Sequence, residues 1–332
     1  MAPPKTEVVV ITGARAGVGR ATAQAFARRG ACIGLLARGE EALEAAKSEV
    51  EALGGQAAAI PTDVADPEQV ERAAALVEAT FGPIDIWINN AMTTIFAPFI
   101  EISPADFKRA TEVTYLGYVY GTLAALKRML SRDRGAIVQV GSALAYRSIP
   151  LQAPYCGAKF AIRGFTDSLR SELIHQGSQV HVTMIQMPAL NTPQFDWCKT
   201  HLPRRPQPIP PIFQPEVAAQ AIVWAAHHHR REIYVGFSSH RAIWANKLIP
   251  GLLDRYLARI GYRGQQSNEL IEPNRPDNLW IPVPGDFSAH GRFDRQARPY
   301  SMHLWLNLHR GWAALLGLGL VVITAMLWGL GK

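Results

Sequence analysis

Ser142, Tyr155 and Lys159 have the types and spacing of a proton-transfer device. A tyrosine phenol ionises near pH ~10 when unperturbed, so alone it is a poor acid or base at neutrality. Lys159 follows Tyr155 by four residues, which places it one turn along the same helix face. Its positive charge there favours phenolate and lowers the tyrosine pKa. A serine hydroxyl at a neighbouring strand end can hold the substrate oxygen that exchanges the proton. A lone Tyr-x3-Lys pair also arises by chance on exposed helices, so other elements must position it.

Those elements begin at the N-terminus. Val8-Val9-Val10-Ile11 is a β-branched run that reads as a buried strand. Thr12-Gly13-Ala14-Arg15-Ala16-Gly17-Val18-Gly19 follows, then a helical stretch from Ala21 to Arg29 closed by Gly30. Strand, glycine turn and helix together form a dinucleotide-binding context. Glycines let the backbone approach a pyrophosphate, and the helix N-terminus favours the anion.

The chain resembles the short-chain dehydrogenase/reductase family. Five features carry the resemblance in that family's order: Thr12-Gly13-x3-Gly17-x-Gly19, Asp63-Val64, Asn89-Asn90-Ala91, Ser142, and Tyr155-x3-Lys159. They cover roughly residues 7–192. The resemblance implies a doubly wound α/β domain with a parallel sheet, and NAD(P)-dependent interconversion of alcohols and carbonyls. It implies that Gly13, Gly17, Val18 and Gly19 line the pyrophosphate, that Asp63 and Val64 meet the adenine, and that Asn89 approaches the cofactor. Tyr155 would be the general acid/base and Ser142 would orient the substrate oxygen. Lys159 would bind the nicotinamide ribose, with Pro188 and Thr192 beside the carboxamide.

Three departures matter. Met92 stands where the family has glycine, and Ala189 replaces the glycine after Pro188. Thr114 occupies the slot of the relay asparagine, and is a tentative replacement for its water-holding role. Cofactor choice follows from charge. The second strand, Cys32 to Ala37, ends without the acidic residue that binds a ribose 2′-hydroxyl. Arg38 follows instead, and Arg15 lies in the glycine loop. Two guanidinium groups suit a phosphate, so NADP(H) is expected over NAD(H). Solvated surface arginines are the alternative.

Composition bounds the rest. A length of 332 residues and 48% hydrophobic content suit one catalytic domain, assigned to 1–262, plus an extension. Three scattered cysteines point to reduced thiols, not a disulfide framework. Consecutive His227, His228 and His229 point in different directions, so no metal site is expected. Strand-like and helix-like segments alternate from Val8 to Gly236, as a parallel sheet requires. Pro104 to Leu130 reads as a single helix. Ala189 to Ile212, with Phe195, Trp197, Leu202 and five prolines between 203 and 211, reads as an apolar lid suited to a bulky hydrophobic alcohol or ketone.

Residues 263–311 read as a polar, proline-interrupted linker, in which Asp277 to Pro284 is a candidate to dock on the enzyme. Residues 312–331 carry no charge and match a ~30 Å bilayer core. They are read as a transmembrane tail anchor that leaves the catalytic domain on the cytoplasmic side; a packed terminal helix is the alternative. Between Lys199 and Arg263 lie ten Lys/Arg against three acids, which equals the net charge of +7. Ile243 to Ile260 interleaves these cations with apolar residues, as a lipid-facing helix or as core packing. No recognition motif supports nucleic acid. The family resemblance allows a homo-oligomer. The Thr114 and Met92 departures keep a second function open, a cofactor-binding regulatory or scaffold protein with weak catalysis.

Overall fold

The computed structural model describes residues 6–272 and 274–311. Its centre is a seven-stranded parallel sheet: β1 (Val8–Thr12), β2 (Cys32–Ala37), β3 (Gln56–Pro61), β4 (Ile86–Asn89), β5 (Ala136–Val140), β6 (His181–Gln186) and β7 (Glu232–Tyr234). The spatial order is β7-β6-β5-β4-β1-β2-β3, with every pair parallel. The β-branched, continuously apolar strands are buried on both faces, which is why β1 and β2 show no hydrophobic alternation.

Period-two geometry sorts each strand's side chains into two helix layers. Val9, Ile11, Ile33 and Leu35 pack with Phe26 of helix α1 (Gly17–Ala27), Leu43 of α2 (Glu40–Ala52), and Ile222 from a later helix, Pro215–Ala226. Val8, Val10 and Leu36 pack on the opposite side with Val77 of α3 (Pro67–Phe81). The sequence expectation of a doubly wound α/β domain therefore holds. Strand order reverses between β1 and β4, and in such sheets ligands bind outside the carboxyl ends of the strands at that point.

The stretch read as one helix from Pro104 to Leu130 is interrupted. Helix α4 (Pro104–Thr111) and α5 (Gly117–Met129) flank a π-helical turn over Glu112–Leu116. The turn adds a residue to the helical repeat and rotates everything after it. Helix α6 (Ala153–His175) carries Tyr155 and Lys159, and the Pro215–Ala226 helix is α7. After β7, α8 (Phe237–Leu248) and α9 (Pro250–Gly264) form a helical hairpin.

Residues 263–311 do not behave as a linker. Gln266–Leu270 pairs antiparallel with Arg204–Pro206. Leu279, Phe293 and Leu304 are buried against the domain, and α10 (Met302–Leu308) packs beside β7. The segment lacks periodicity because it is anchored by single side chains at irregular intervals. Among the described residues no helix is long and apolar enough to cross a membrane. The apolar stretch 312–331 lies outside the described residues.

Candidate active site

The carboxyl ends of β1, β4, β5 and β6 open onto one cavity of about 480 Å³, within the range of small-molecule sites. Gly13, Arg15, Gly17 and Val18 line it from the glycine turn, with Arg38, Asp63 and Val64 beside them. Ser142, Tyr155, Lys159, Pro188 and Thr192 line its other end. Residues distributed over the first 192 positions thus meet in one cleft.

The glycine turn is shaped for close approach. Gly13 and Gly17 hold φ of 68° and 58°, which side chains rarely adopt. A Cβ on Gly13 would stand 2.8 Å from the Ala91 Cα, and one on Gly17 3.2 Å from the Thr192 Cγ2. The Ala16 methyl cannot cap α1, so no side chain occupies the backbone donors of the helix N-terminus, where an anion is favoured. These features fit a dinucleotide pyrophosphate. Gly19 does different work from the one expected. It is absent from the cavity lining, and its Cβ would meet the Gly13 carbonyl oxygen at 2.3 Å. It lets α1 cross the strand closely.

Asn89 does not approach the cofactor cleft either. Its amide nitrogen donates to Thr122 Oγ1 and Gln139 Oε1 at 3.0 Å, and its oxygen accepts from the Trp87 indole at 2.9 Å. This buried network ties β4 to α5 and β5. The neighbouring Asn90 lines the cavity and donates to the Thr12 carbonyl at 2.9 Å, bracing the glycine turn. Adjacent strand residues face opposite ways, so the motif's two asparagines divide the labour.

The proton device is assembled. Ser142 ends the loop after β5, where its Oγ accepts the Leu144 N–H at 3.1 Å, and it also hydrogen-bonds Tyr155. Burial pushes the Tyr155 phenol well up, and the Ser142 hydrogen bond opposes this only partly. Burial likewise pushes the Lys159 ammonium down to about 7. Desolvation favours the neutral form of both groups, and so opposes the depression of the tyrosine by a lysine cation. Lys159 Nζ donates to the Val140 carbonyl at 2.7 Å and to Tyr118 Oη at 3.1 Å, and lies 5.4 Å from the Tyr155 ring centroid. Tyr118, fully buried, donates to the same Val140 carbonyl at 2.9 Å. Sequence reading missed it, because a tyrosine on a predicted helix carries no signal of its own.

The lysine's depressed pKa has a stability consequence. Between about 7 and 10.5 the unfolded chain binds a proton at Lys159 that the folded chain does not. Stability therefore rises with pH through that window, and the buried amine costs stability at neutrality. Lys159→Met is expected to raise Tm at neutral pH, by about 2–4 °C per kcal/mol recovered, while lowering turnover. Thermal melts at neutral and alkaline pH check this; a Tm that falls equally at both would contradict it.

Thr114, the tentative stand-in for the relay asparagine, is set back from the cavity. It is fully buried outside the cavity lining. Its hydroxyl donates to the Thr93 carbonyl at 2.8 Å and accepts the Thr93 N–H at 3.0 Å, so both functions are spent on the loop after β4. The π-helical turn that contains it sets this orientation. Met92, flagged as a departure, lines the cavity.

The arginines are engaged by the C-terminal segment. Arg15 Nη1 donates to the Val283 carbonyl at 2.9 Å, and its guanidinium lies 4.9 Å from the Trp197 ring centroid. Arg38 donates to the carbonyls of Asn278, Leu279 and Trp280. Asp63 accepts from Arg109 at 2.5 Å and from the Ala65 N–H at 3.0 Å.

The substrate end is apolar. Phe195 and Leu202 sit in a satellite core with Phe96, Leu151 and Phe293. Ile149, Ile209, Pro210 and Pro211 line the cavity, and Tyr256, Leu257 and Ile260 of α9 close its outer side. Gln152 donates to Gln265 Oε1 at 2.7 Å across it. Among the described residues no cluster could hold a metal ion.

A model of the short chain dehydrogenase family matches residues 7–200. The chain belongs to that family. A Bacillus subtilis (strain 168) relative, the uncharacterized oxidoreductase YxnA, is 35% identical over 278 residues, 83% of this chain and 78% of the relative. A fatty acyl-CoA reductase from Acinetobacter baylyi is 31% identical over 223 residues, 67% of this chain and 73% of the relative. A solved 3-ketoacyl-ACP reductase from Sinorhizobium meliloti 1021 superposes with TM-score 0.60 at 27% identity, covering 68% of this chain and 96% of that one. A metagenomic short-chain oxidoreductase solved with NADP shares the fold, with TM-score 0.58 at 24% identity, covering 69% of this chain and 95% of that one. As a family member the chain is an NAD(P)-dependent oxidoreductase acting on alcohol or carbonyl groups.

Proposed function

We propose that the protein interconverts an alcohol and a carbonyl on a hydrophobic substrate, with NADP(H) as the preferred cofactor. The observation that carries the reading is the convergence of Ser142, Tyr155, Lys159 and the glycine turn on one cavity whose far end is apolar. Gly13, Gly17 and Val18 would cradle the pyrophosphate, Asp63 and Val64 the adenine, and Arg15 and Arg38 a 2′-phosphate. The bound nicotinamide supplies or accepts the hydride. Ser142 holds the substrate oxygen, and Tyr155 moves its proton. Because burial keeps Tyr155 protonated at neutrality, it begins as the acid, ready to donate to a carbonyl oxygen.

The reverse reaction needs Tyr155 as a base. Alcohol oxidation is therefore expected to rise with pH through the alkaline range, while carbonyl reduction does not. Initial rates in both directions across that range check it; an oxidation rate that falls as pH rises would contradict the assignment. A panel of long-chain ketones, aldehydes and alcohols with each cofactor tests the function itself. Tight NADP(H) binding with no turnover on any of them would favour the scaffold reading. Tethering at a membrane, with the catalytic domain on the cytoplasmic side, is part of the proposal; the uncharged, apolar sequence 312–331 supports the tethering.

A further inference from the structure

We propose that the α8–α9 hairpin is a membrane-docking face whose partner is an anionic lipid leaflet, and that substrate reaches the cavity from it. Phe237, Trp244 and Leu248 recur on one face of α8 and are 58–74% exposed. Ile249, Leu252, Tyr256 and Ile260 continue the apolar surface along α9, which buries only Gly261. A monomeric soluble surface rarely carries so many contiguous large apolar side chains.

Charge selects the occupant. Arg241, Lys247, Arg255, Arg259 and Arg263 are all exposed on the hairpin. Asp254 is its sole acid, and Arg147 pairs with it at 2.6 Å. Apolar side chains among unpaired cations match the boundary between acyl chains and anionic headgroups. Helix α10 lies against α8, with His303 Nε2 3.0 Å from His240 Nδ1. The uncharged sequence that begins at Trp312 therefore follows directly from an element beside this face. Tyr256 and Ile260 belong to both surfaces: they are exposed outside and line the cavity inside. A lipid-dissolved substrate would pass from leaflet to cavity beside them.

The entry route rests on the hydrophobic-substrate reading; the docking test does not, because it needs no turnover. The full chain is mixed with vesicles of brominated phosphatidylcholine, with and without phosphatidylglycerol, and Trp244 is isolated as the difference between parent and Trp244→Phe fluorescence. Strong quenching of that difference is expected with phosphatidylglycerol, and Arg255→Glu with Arg259→Glu is expected to cut it by at least about tenfold in lipid titration. Equal quenching of parent and Trp244→Phe would overturn the proposal. So would lipid-free self-association that buries Trp244, since a second copy would then be the occupant.

We infer separately that residues 278–288 form a strap that stands in for the cofactor's phosphates. Its backbone carbonyls occupy three anion-binding groups at once. Asn278, Leu279 and Trp280 take three of the five Arg38 N–H groups, Val283 takes one from Arg15, and Ser288 accepts the Gly17 N–H at 3.1 Å. A phosphate forms stronger, charge-assisted bonds with the same donors. NADP+ binding would exchange the carbonyls for the 2′-phosphate at Arg38 and loosen the strap on either side of Leu279, which burial and Arg109 still hold, whereas NAD+ would leave it latched. This rests on the NADP(H) reading. Hydrogen–deuterium exchange on the full chain is expected to rise over 278–283 at saturating NADP+ and not at saturating NAD+. Tighter NADP+ binding with unchanged exchange overturns the strap alone. Equal affinity for the two cofactors overturns the strap and the cofactor reading together.

Discussion

Replacing Tyr155 by phenylalanine is expected to reduce turnover by about 10²–10⁴-fold, the contribution of one positioned acid/base group. The substitution removes a hydroxyl and keeps the ring, so the packing of the ring beside Lys159 survives. Cofactor affinity is expected to stay within about threefold of the parent, because in the proposed binding mode the glycine turn, Asp63 and Arg38 would hold the dinucleotide independently of this hydroxyl. Ser142 loses its Tyr155 partner but still accepts the Leu144 N–H. Its orientation is therefore retained, and the loss reports proton transfer and not a collapsed site. Stopped-flow or steady-state absorbance with a responsive ketone, alongside a cofactor titration, separates the two quantities. Parental turnover by Tyr155→Phe would end the mechanism.

The legible parts of the protein are those fixed by local chemistry. The strands of the parallel sheet announce themselves as β-branched runs, because both faces are buried. Tyr155 and Lys159 sit on one helix face because four residues make just over one turn. What escaped the sequence depends on parity, phase and long-range contact. Trp87 and Asn89 are two residues apart and share a face, so Asn89 follows the indole into the α5 layer while Asn90 turns to the cleft. Choosing between them requires knowing which layer Trp87 faces. Thr114 lies in a π-helical turn whose extra residue changes the helix phase, which a continuous helix over Pro104–Leu130 cannot express. The environment of Lys159 escaped for a third reason: Tyr118 and the layers around α6 bury its amine beside Tyr155, and that burial exists only after folding. Residues 263–311 show no period because Leu279, Phe293 and Leu304 dock singly, each into a pocket built by distant sequence.

Arg38→Ala is expected to weaken NADP+ binding by about 10–100-fold, corresponding to the ~1.5–3 kcal/mol of a hydrogen bond to a charged group. NAD+ binding is expected to change by less than about threefold, since no 2′-phosphate is present for the guanidinium to hold. Arg38 follows β2 at the cavity edge, and Arg15 approaches the same end from the glycine turn. If one phosphate engages both, Arg15→Ala repeats the NADP+ loss, and the double variant loses less than the sum of the two. Two solvated surface arginines would instead give small, additive effects on both cofactors. Stability is a separate readout: the carbonyls of Asn278, Leu279 and Trp280 lose a donor in Arg38→Ala, but Arg109 still donates to Leu279, and Trp280 is 51% exposed, so water can replace the arginine there. The folded chain is thus expected to persist, and equal losses for NADP+ and NAD+ by calorimetry would move the selection of the 2′-phosphate away from these two residues.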